Sequence, residues 1–421
     1  MRKPNVIVIG GSFAGLTAAF EIKRLLKHKV DVTVIARQDQ FVFIPSFIWI
    51  VPGWRRPEQL TFDLKSALES KNIQFINATL LEIKPEQNTV VTANAGNFKY
   101  DYLVISTGPH FDWDEVPGMG PDKQGFTQSI CSLPHAIEAR KAWKEFIKDP
   151  GPVVLGSTQY ASCFGAEYEI AFNIDRALRE AKIRDKVSVT FITAEPFLGH
   201  FGIGGMGKGQ KMVEWFFKKL KIDWITNAAI KDVKPNEINL VDGRIIPFKF
   251  AIIIPPFKGV QAIRNSQGIG DERGFVTVNS RYQHLIYKNV YAAGVAVAVK
   301  PPPGPPPPVP CGVPKTGYMS EVMAKVAAHN IVADIESRDN NREPASFSSD
   351  HHHHHEELPF PQIHGLCIMD AGKQGVIMIS DRIFAPRKYQ ILIPGPWSHW
   401  AKILFEKYYL WKMKHGVTYL P

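Results

Sequence analysis

Short apolar runs rich in β-branched residues alternate with helical patterns through the first two-thirds of the chain. Six of these runs have the length of strands, at residues 6–9, 31–35, 102–106, 152–155, 187–192 and 250–254. Strands that alternate with helices favour βαβ units, in which helices cover a parallel sheet. The pattern therefore predicts an α/β fold.

Two of the predicted strands run into a glycine and then into a helix, one at Gly10 and one at Gly156. This arrangement is typical of a Rossmann-like nucleotide fold. The chain is therefore predicted to contain two such domains, the first of them discontinuous, and a C-terminal segment. Their expected boundaries are 1–112 with 260–345, then 113–259, then 346–421.

Two stretches are predicted to be irregular. Residues 301–310 are almost entirely proline, which predicts an extended connector. Residues 346–361 contain the histidine run 351–355 and are predicted to form a loop. Five adjacent imidazoles on a loop lack the fixed geometry of a metal site, so no metal is predicted.

The composition narrows the class of protein. The chain has 421 residues and a net charge of +10, which favours an anionic partner such as a lipid surface or a small anion. No apolar run reaches the roughly eighteen residues of a membrane-spanning helix. None of the four cysteines forms a C-x-x-C pair, which excludes a cysteine-based zinc site and a disulfide-rich secreted scaffold.

The first glycine turn reads Gly10-Gly11-Ser12-Phe13-Ala14-Gly15. Gly10 permits a tight turn, Gly15 permits close packing of helix and strand, and the helix N-terminus offers amides to a pyrophosphate. Ser12 replaces the usual second glycine, and Ala36-Arg37 stands where an acidic residue is usual after the second strand. The turn predicts a dinucleotide site with two departures from the usual fingerprint.

Two later segments resemble those that complete the flavin site of two-dinucleotide flavoproteins. An apolar strand ends in Thr107-Gly108-Pro109, and residues 289–294 form a second one that ends at Gly294. Three such segments in this order indicate FAD. Val295 occupies the place where that group has an aspartate, so the aspartate's contact with the flavin is predicted to be lost.

The second glycine turn, at residues 156–161, lacks the features of a nicotinamide site. Bulky Gln159 and Tyr160 fill the place where a pyrophosphate would approach the backbone. Glu195 lies near the position of the ribose-binding acid. We predict a Rossmann-like domain that no longer binds NAD, and hence an electron donor of another kind.

Cys163 follows this second turn, at the start of a predicted helix. Helix-terminal amides and the helix dipole would stabilise its thiolate, so its pKa is predicted to be lowered. Cys131, Cys311 and Cys367 lie elsewhere in the chain. A lone cysteine is usually a small buried apolar residue, but four cysteines beside flavin motifs favour a redox role.

Together these features resemble the sulfide:quinone oxidoreductases, flavoproteins with two dinucleotide-binding domains. The resemblance rests on five segments, which are 128–131, 161–165, Gly199-His200, 314–319 and Cys367 with Asp370. It implies FAD as cofactor, sulfide as substrate, polysulfide or sulfur as product and a membrane quinone as electron acceptor.

The resemblance also implies roles for individual residues. Cys163 and Cys367 would form the redox pair, Cys131 would be auxiliary and Cys311 structural. The other implied catalytic residues, which handle protons or stabilise reduced flavin, are Glu169, His135, His200 and Lys315. The implied FAD-binding residues are Gly10, Gly11, Ser12, Gly15, Ala36, Arg37, Ala78, Thr107, Gly108, Pro109, Gly294, Val295, Lys315, Thr316 and Gly317.

The implied chemistry begins when hydrosulfide attacks the Cys163–Cys367 bridge, as in thiol–disulfide exchange. One cysteine keeps the substrate sulfur as a persulfide. The other, expected to be Cys367, leaves as a thiolate and passes its electrons to the flavin. Repetition lengthens the sulfur chain until it is released.

The C-terminal segment has a basic and aromatic character. Six Lys or Arg residues and one acid lie between residues 387 and 415. One helical stripe contains Trp397, Trp400, Leu404, Tyr408 and Trp411. Aromatic residues with flanking lysines suit an anionic membrane surface, which predicts a peripheral, monotopic protein of the cell membrane.

The alternative is a helix that packs this stripe on its own protein or on a second subunit. Basic residues interleaved with an apolar stripe do not favour a nucleic-acid-binding surface.

A quinone site is expected where this helix meets the flavin, opposite the sulfur face. Its predicted lining, assigned by position and ring chemistry, is Phe43, Pro45, Tyr318, Phe405 and Tyr409. Two other functions compete with sulfide oxidation. A type II NADH:quinone oxidoreductase would need an intact second glycine turn, and a catalytically silent flavin-binding redox sensor would not need the cysteines, Glu169 and Lys315 together.

Overall fold

The computed structural model describes residues 2–340 and 355–420. Residues 346–354 of the predicted loop, with all but the last histidine of the run, lie outside these described residues. As far as residue 111 the elements are β1 (Asn5–Ile9), α1 (Phe13–Leu26), β2 (Asp31–Ala36), β3 (Gln40–Val42), β4 (Thr61–Asp63), α2 (Leu64–Glu69), β5 (Gln74–Asn77), β6 (Leu80–Lys84), β7 (Thr89–Thr92), β8 (Asn97–Lys99), β9 (Tyr102–Ile105) and β10 (Pro109–Phe111). From there to residue 259 they are α3 (Leu133–Phe146), β11 (Val153–Ser157), α4 (Phe164–Glu180), β12 (Val189–Ile192), α5 (Gly209–Leu220), β13 (Asp223–Ile225), β14 (Ile230–Lys234), β15 (Glu237–Leu240), β16 (Ile245–Pro247), β17 (Phe250–Ile254) and β18 (Phe257–Gly259). The remaining elements are α6 (Gln261–Asn265), β19 (Val290–Ala292), α7 (Gly317–Asn340), β20 (Gly365–Ala371), β21 (Gln374–Ser380), β22 (Gln390–Gly395) and α8 (Pro396–Lys414).

The first sheet is parallel, with the strand order β19–β9–β1–β2–β5. Its central strand β1 has Val6 opposite both Val32 of β2 and Tyr102 of β9. The middle of β1 is fully buried, as expected of a parallel strand that is covered on both faces. Helices α1 and α7 pack against each other beside this sheet. The predicted α/β fold is confirmed.

The second sheet is also parallel, with the order β13–β12–β11–β17. All six strands expected from the sequence occur. Each of their ends lies within two residues of its predicted position. Gly156, at φ +146°, lies so close to β12 that a Cβ there would be 1.8 Å from the Ile192 oxygen. The tight turn predicted at this position therefore requires glycine.

The C-terminal segment forms an antiparallel sheet, β20–β21–β22, with α8 packed across β20 and β21. One face of α8 belongs to the core, where Tyr409 and Met413 are buried. Lys412 of α8 lies 3.0 Å from Glu321 of α7, and Tyr409 donates to the same carboxylate at 2.9 Å. No helix in the described ranges is long and apolar enough to cross a membrane.

A buried carboxylate, Glu21 of α1, joins α1 and α7 to the end of the chain. It accepts hydrogen bonds from Arg24 at 2.9 Å and Thr418 at 2.5 Å, and it lies 2.9 Å from His329 Nε2. His329 Nδ1 lies 2.6 Å from Glu356. Hydrogen bonds to Glu21 and Glu356 raise the pKa of His329 to about 9, so this imidazole is charged at neutral pH.

We expect His329→Gln to destabilise the protein in a pH-dependent way. A histidine whose pKa is raised on folding stabilises most below its unfolded pKa and loses that effect as pH rises through its folded pKa. The free energy of unfolding should fall by about 3 kcal/mol at pH 6, and the difference from the unchanged protein should vanish above pH 9. Thermal unfolding from pH 6 to 10 measures this, with exposed His28→Gln as control. A constant difference at every pH would contradict it.

Candidate active site

The carboxyl ends of the strands in the first sheet form one edge, where parallel sheets bind their ligands. Five predicted flavin-binding residues lie at, or within two residues after, the ends of β1, β2, β5, β9 and β19, namely Gly10, Ala36, Ala78, Thr107 and Gly294. Gly11, Ser12, Gly15, Arg37, Gly108, Pro109 and Val295 adjoin them in sequence, and Lys315, Thr316 and Gly317 lead into α7. The fold thus gathers these residues at one edge, while their contacts with a cofactor stay a prediction.

The first glycine turn is so tight that no side chain fits at Gly10 or Gly15. A Cβ at Gly10, which has φ +114°, would lie 2.2 Å from the Ser106 oxygen, and one at Gly15 would lie 1.9 Å from the Gly10 oxygen. Ser12 is the N-cap of α1, and its side chain makes no capping hydrogen bond. The serine hydroxyl and the first amides of α1 therefore remain available to a phosphate.

The same edge has polar atoms that suit a flavin. Thr107 Oγ1 and Thr316 Oγ1 are buried and have no hydrogen-bond partner among the described residues. Buried hydroxyls are nearly always hydrogen-bonded, so these two fit a polar ligand. A Cβ at Gly108 would meet no atom within 4 Å. The residues present therefore fit a polar ligand such as a flavin.

Lys315 lies behind this edge with its ammonium enclosed. Lys315 Nζ donates to the carbonyl oxygens of Val295 at 3.0 Å and Val297 at 2.7 Å, and it lies 4.4 Å from the centre of the Phe275 ring. Burial lowers the pKa of Lys315 to about 7. An ammonium has three donors, so one remains for a ligand.

The second glycine turn is occupied by the protein itself. The backbone N–H of Tyr160 donates to Pro310 of the proline-rich connector at 2.7 Å, and Gly312 N–H donates to Ala161 at 2.8 Å. The Gln159 amide pairs with both backbone groups of Ile230 on β14, at 3.1 and 3.0 Å. These contacts engage polar groups of the turn within the protein, and the loss of NAD binding stays a prediction.

Three cysteines approach one another although they come from three parts of the chain. Cys163 is the N-cap of α4, Cys367 lies on β20 and Cys131 precedes α3. Cys163 interacts electrostatically with both of the others. We call this group the cysteine cluster. Each of these residues is a free thiol and partly accessible. Cys311 instead interacts with buried carboxyls of the second domain.

The predicted lowering of the Cys163 pKa is wrong. Burial raises the pKa of Cys163 to about 11, although the Ala166 amide at the helix start opposes the rise. Burial also raises the pKa values of Cys131 and Cys367 to about 12. Desolvation outweighs the helix terminus because a thiolate here would leave water.

A buried ion pair lies beside the cysteine cluster. Lys402 of α8 lies 2.9 Å from Glu169 of α4, and the backbone N–H of Asp370 donates to Glu169 at 2.7 Å. Burial raises the pKa of Glu169, against the opposing effect of Lys402. Burial by itself would lower the pKa of Lys402, but the Glu169 carboxylate outweighs this and leaves it raised.

A second layer of contacts holds that ion pair. Asp370 is buried, accepts from Trp49 Nε1 at 2.9 Å and lies 2.6 Å from His399 Nδ1. Sequence reasoning missed Lys402 and His399 because both were assigned to a solvated amphipathic helix. The sequence did contain a signal for a buried face of this helix. On the side opposite the aromatic stripe, helical spacing relates Ser398, Lys402, Glu406, Tyr409 and Met413.

We expect Lys402→Met to destabilise the protein by about 3–5 kcal/mol, because it leaves Glu169 buried without its cation. The double variant Glu169→Gln/Lys402→Met removes both charges and should recover most of that loss. Thermal unfolding measures both, with exposed Lys407→Met as the matched control. Equal stability of Lys402→Met and Lys407→Met would contradict the importance of the pair.

The two predicted histidines lie on either side of Cys163 in sequence, and both follow Cys131. His135 begins α3 one turn after Cys131, packs on Phe111 and Trp113 and lies 3.4 Å from Asp122. His200 lies in the loop after β12, and burial lowers its pKa. Neither has a hydrogen bond to a cysteine sulfur, so their roles stay predictions.

The predicted quinone-lining residues meet in an aromatic cluster between the first glycine turn and α8. The ring centres of Phe405 and Tyr409 are 4.3 Å apart, and Phe43 is 6.0 Å from Tyr409 and 6.5 Å from Phe405. Tyr318 interacts electrostatically with Tyr409, and Pro45 follows Phe43 by two residues. Phe43 and Tyr409 are fully buried, whereas Phe405 and Tyr318 are partly accessible.

The aromatic stripe on α8 faces outward. The exposed fractions of Trp397, Trp400, Leu404 and Trp411 are 71%, 63%, 68% and 52%, and Tyr408 is half-buried. The alternative in which the stripe packs on its own protein is therefore wrong. Contiguous exposed apolar surface marks a membrane or protein contact.

The basic charge beside this stripe is smaller than the sequence suggested. Lys402 and Lys412 are buried in ion pairs, and Arg387 donates to backbone carbonyls of residues 203 and 205. Only Lys388, Lys407 and Lys414 of the six cations are exposed. The apolar side chains consequently dominate the character of this surface.

The chain has full-length similarity to known proteins. A family model described as pyridine nucleotide-disulphide oxidoreductase matches residues 4–320. A sulfide-quinone reductase from Aquifex aeolicus is 38% identical over 421 residues, covering 98% of this chain and 91% of that protein. A mitochondrial sulfide:quinone oxidoreductase from Dictyostelium discoideum is 25% identical over 300 residues, covering 69% of this chain and 64% of that protein.

Solved structures agree with this similarity. The X-ray structure of the sulfide:quinone oxidoreductase from Aquifex aeolicus matches with a TM-score of 0.88 and 37% identity, over 98% of this chain and 92% of that one. NDH2 from Plasmodium falciparum matches with a TM-score of 0.71 at 14% identity, over 99% and 97% of the two chains. The second match shows a shared fold alone.

Proposed function

Since the chain belongs to the pyridine nucleotide-disulphide oxidoreductases, and within them to the sulfide:quinone oxidoreductases, we propose that it oxidises sulfide with a bound flavin and a quinone as electron acceptor. The observation that carries this proposal is the cysteine cluster. It is supported by the flavin-type edge of the first sheet and by the internal hydrogen bonds of the second glycine turn. The family uses a flavin, and we propose that this flavin is FAD, whose pyrophosphate would meet Gly10, Ser12 and the start of α1. FAD would supply reversible two-electron storage.

The sulfur chemistry is assigned to the cysteine cluster. Hydrosulfide attacks the oxidised Cys163–Cys367 bridge, so that one S–S bond forms as the other breaks. One cysteine then holds a persulfide and the other a thiolate that carries the electron pair onward. Because burial raises the pKa of both thiols, each thiolate needs a nearby proton acceptor or cation. Glu169 and Lys402, which interact electrostatically with both thiols, are assigned these two tasks. His135 and His200 are assigned to proton exchange at the margin of the cysteine cluster.

The quinone side is assigned to the aromatic cluster of Phe43, Phe405 and Tyr409, with Pro45 and Tyr318 at its border. Reduction of a quinone takes up two protons with two electrons. Tyr409 donates to Glu321, which is paired with Lys412, so a buried acid reaches this cluster from the protein side. Lys315 would stabilise negative charge on the reduced cofactor.

Membrane attachment is assigned to the exposed stripe of α8, defined by Trp397, Trp400, Leu404, Tyr408 and Trp411. A quinone is apolar and resides in lipid, so an anchor next to the aromatic cluster shortens its path. We propose peripheral attachment to an anionic cell membrane, with no spanning segment required. A second copy of the chain covering this stripe is the competing arrangement.

Anaerobic addition of sulfide tests the function directly. Sulfide should bleach the flavin absorbance within seconds, a soluble quinone should restore it, and extraction should release FAD. NADH should leave the flavin oxidised, because the second glycine turn has no room for its pyrophosphate. Bleaching by NADH alone would favour a type II NADH:quinone oxidoreductase, and bleaching by neither donor would favour a flavin-binding sensor.

A further inference from the structure

Two buried carboxyls lie together behind the second glycine turn without a cation. Glu167 of α4 and Glu195 after β12 are both fully buried. Thr193 Oγ1 lies between them, 3.1 Å from Glu167 Oε1 and 3.2 Å from Glu195 Oε2. No Lys, Arg or His of the described ranges forms an ion pair with either carboxyl. Two such charges cannot both persist in a buried site, so the pair holds a proton.

Counting donors decides which carboxyl holds the proton. Glu195 accepts from Tyr168 Oη at 2.5 Å and from the backbone N–H of Phe201 at 2.5 Å. Thr193 has a single hydroxyl proton. That proton serves only one of the two contacts, so the other contact requires a proton from a carboxyl. Glu167 Oε2 has no partner among the described residues, which a charged oxygen would not tolerate. Glu167 is therefore the acid and Glu195 the carboxylate.

The carboxylate of Glu195 holds the loop that carries His200. We call residues 199–205 the His200 loop. The Gly199 N–H donates to Tyr168 Oη at 2.8 Å, so Tyr168 links this end of the loop to Glu195. Phe201, held directly by Glu195, has φ +54°. A non-glycine residue in this left-handed region is strained, and the buried hydrogen bond stabilises it there.

The His200 loop is also fixed against the cysteine side of the domain. A Cβ at Gly202 would lie 2.2 Å from the Gly312 oxygen and 2.9 Å from the ring of Phe164, the residue after Cys163. The Gly202 N–H donates to His200 Nδ1 at 3.2 Å. Because Nδ1 accepts, the neutral imidazole carries its proton on Nε2. The loop thus selects both the position and the tautomer of His200.

We propose that Glu195 is a positioning residue for His200, with Glu167 as its protonated partner. The inference rests on the proposed role of His200 in proton exchange during sulfide oxidation. In a dinucleotide-binding domain an acid near this position would bind a ribose. Here its carboxylate turns inward, and the charged or titratable groups around it are Glu167 and Tyr168 of α4 and Cys311 of the connector.

Two isosteric variants separate the two carboxyls. In Glu195→Gln, an amide N–H₂ must face the Tyr168 or Phe201 donor, so the loop loses its acceptor. The rate of flavin reduction by sulfide should fall about 100-fold, as for a catalytic group that is displaced by about 1 Å. In Glu167→Gln the amide donates to Thr193 as the protonated acid does, and the rate should stay within about threefold. Anaerobic stopped-flow absorbance at pH 8 measures both, with flavin content and thermal unfolding as checks of the fold.

A double variant shows whether Glu195 acts through His200. Glu195→Gln/His200→Gln should reduce the flavin no more slowly than His200→Gln alone, because residues that act as one unit are not additive. The ¹⁵N resonances of His200, assigned by their loss in His200→Gln, should report a single Nε2–H tautomer that Glu195→Gln abolishes. Tyr168→Phe, which keeps both carboxyls, should slow reduction about tenfold and covers the case in which Glu195→Gln does not fold.

Additive losses in the double variant, or equal damage from Glu167→Gln and Glu195→Gln, would overturn the inference. So would an unchanged His200 tautomer in Glu195→Gln. Failure of the proposed function looks different, because sulfide would then leave the flavin of the unchanged protein oxidised.

Discussion

Replacing either Cys163 or Cys367 with serine should abolish the reduction of the flavin by sulfide. The oxygen of serine forms neither a sulfur bridge nor a persulfide, so hydrosulfide has no S–S bond to attack. The rate should fall by at least about a thousandfold, as for removal of other nucleophiles. Stopped-flow absorbance of the flavin under anaerobic conditions measures it.

The other two cysteines supply graded controls for this experiment. Cys131→Ser should be milder, because Cys131 neighbours Cys163 without forming the predicted bridge. Cys311→Ser should be nearly silent, because Cys311 interacts with Glu167 and Glu195 and not with the cysteine cluster. All four variants should retain the flavin, which dithionite reduces independently of the cysteines. Full reduction of the flavin by sulfide in both Cys163→Ser and Cys367→Ser would contradict the proposed mechanism.

The first domain was predictable because its signals are local. Gly10 and Gly294 lie within two residues of the ends of the apolar strands β1 and β19, and Gly15 lies in the first turn of α1. A parallel sheet brings the ends of its strands to one edge whatever lies between them. The departure of the second turn from a nicotinamide fingerprint was visible for the same reason, since Gln159 and Tyr160 stand within the turn itself. The role of Pro310 and Gly312 in closing that turn could not be predicted, because the connector is distant in sequence.

The electrostatics of the site could not be predicted from local sequence. The start of α4 indicated a low pKa for Cys163, but burial depends on β20 and α8, which follow far along the chain. Lys402 and Lys412 looked like solvated lysines until their partners Glu169 and Glu321 were placed beside them. A lysine in an amphipathic helix is usually exposed, and only the tertiary structure identifies an acid opposite it.

The two buried ion pairs of α8 determine how membrane attachment has to be tested. Deleting α8 would remove Lys402 and Lys412 together with the stripe and leave Glu169 and Glu321 buried without cations. Such a deletion is expected to unfold the C-terminal segment and to disturb the cysteine cluster. Substitutions confined to the exposed side chains avoid this, because exposed positions usually change stability by less than about 0.5 kcal/mol.

We therefore expect the combined variant Trp397→Ser/Trp400→Ser/Leu404→Ser/Trp411→Ser to leave the membrane while keeping its fold. Each large apolar side chain contributes on the order of 1.5–3 kcal/mol when fully transferred from water, so even partial insertion of four should weaken binding to anionic vesicles more than about 100-fold. Sulfide should reduce its flavin at the normal rate, because Lys402, Glu169 and the cysteines are unchanged. Turnover with a long-tailed quinone in vesicles should collapse, whereas a short-tailed soluble quinone should still be reduced.

Matched variants distinguish a lipid contact of the stripe from a protein contact. Trp215→Ser removes a tryptophan of similar exposure on α5 and should leave vesicle binding intact. Neutralising Lys388, Lys407 or Lys414 one at a time should weaken binding modestly, by roughly 1 kcal/mol for each lysine near an anionic surface, and only at low salt. If the fourfold variant instead keeps its vesicle binding but changes from an oligomer to a monomer in solution, the stripe covers a second copy of the chain and the membrane contact lies elsewhere.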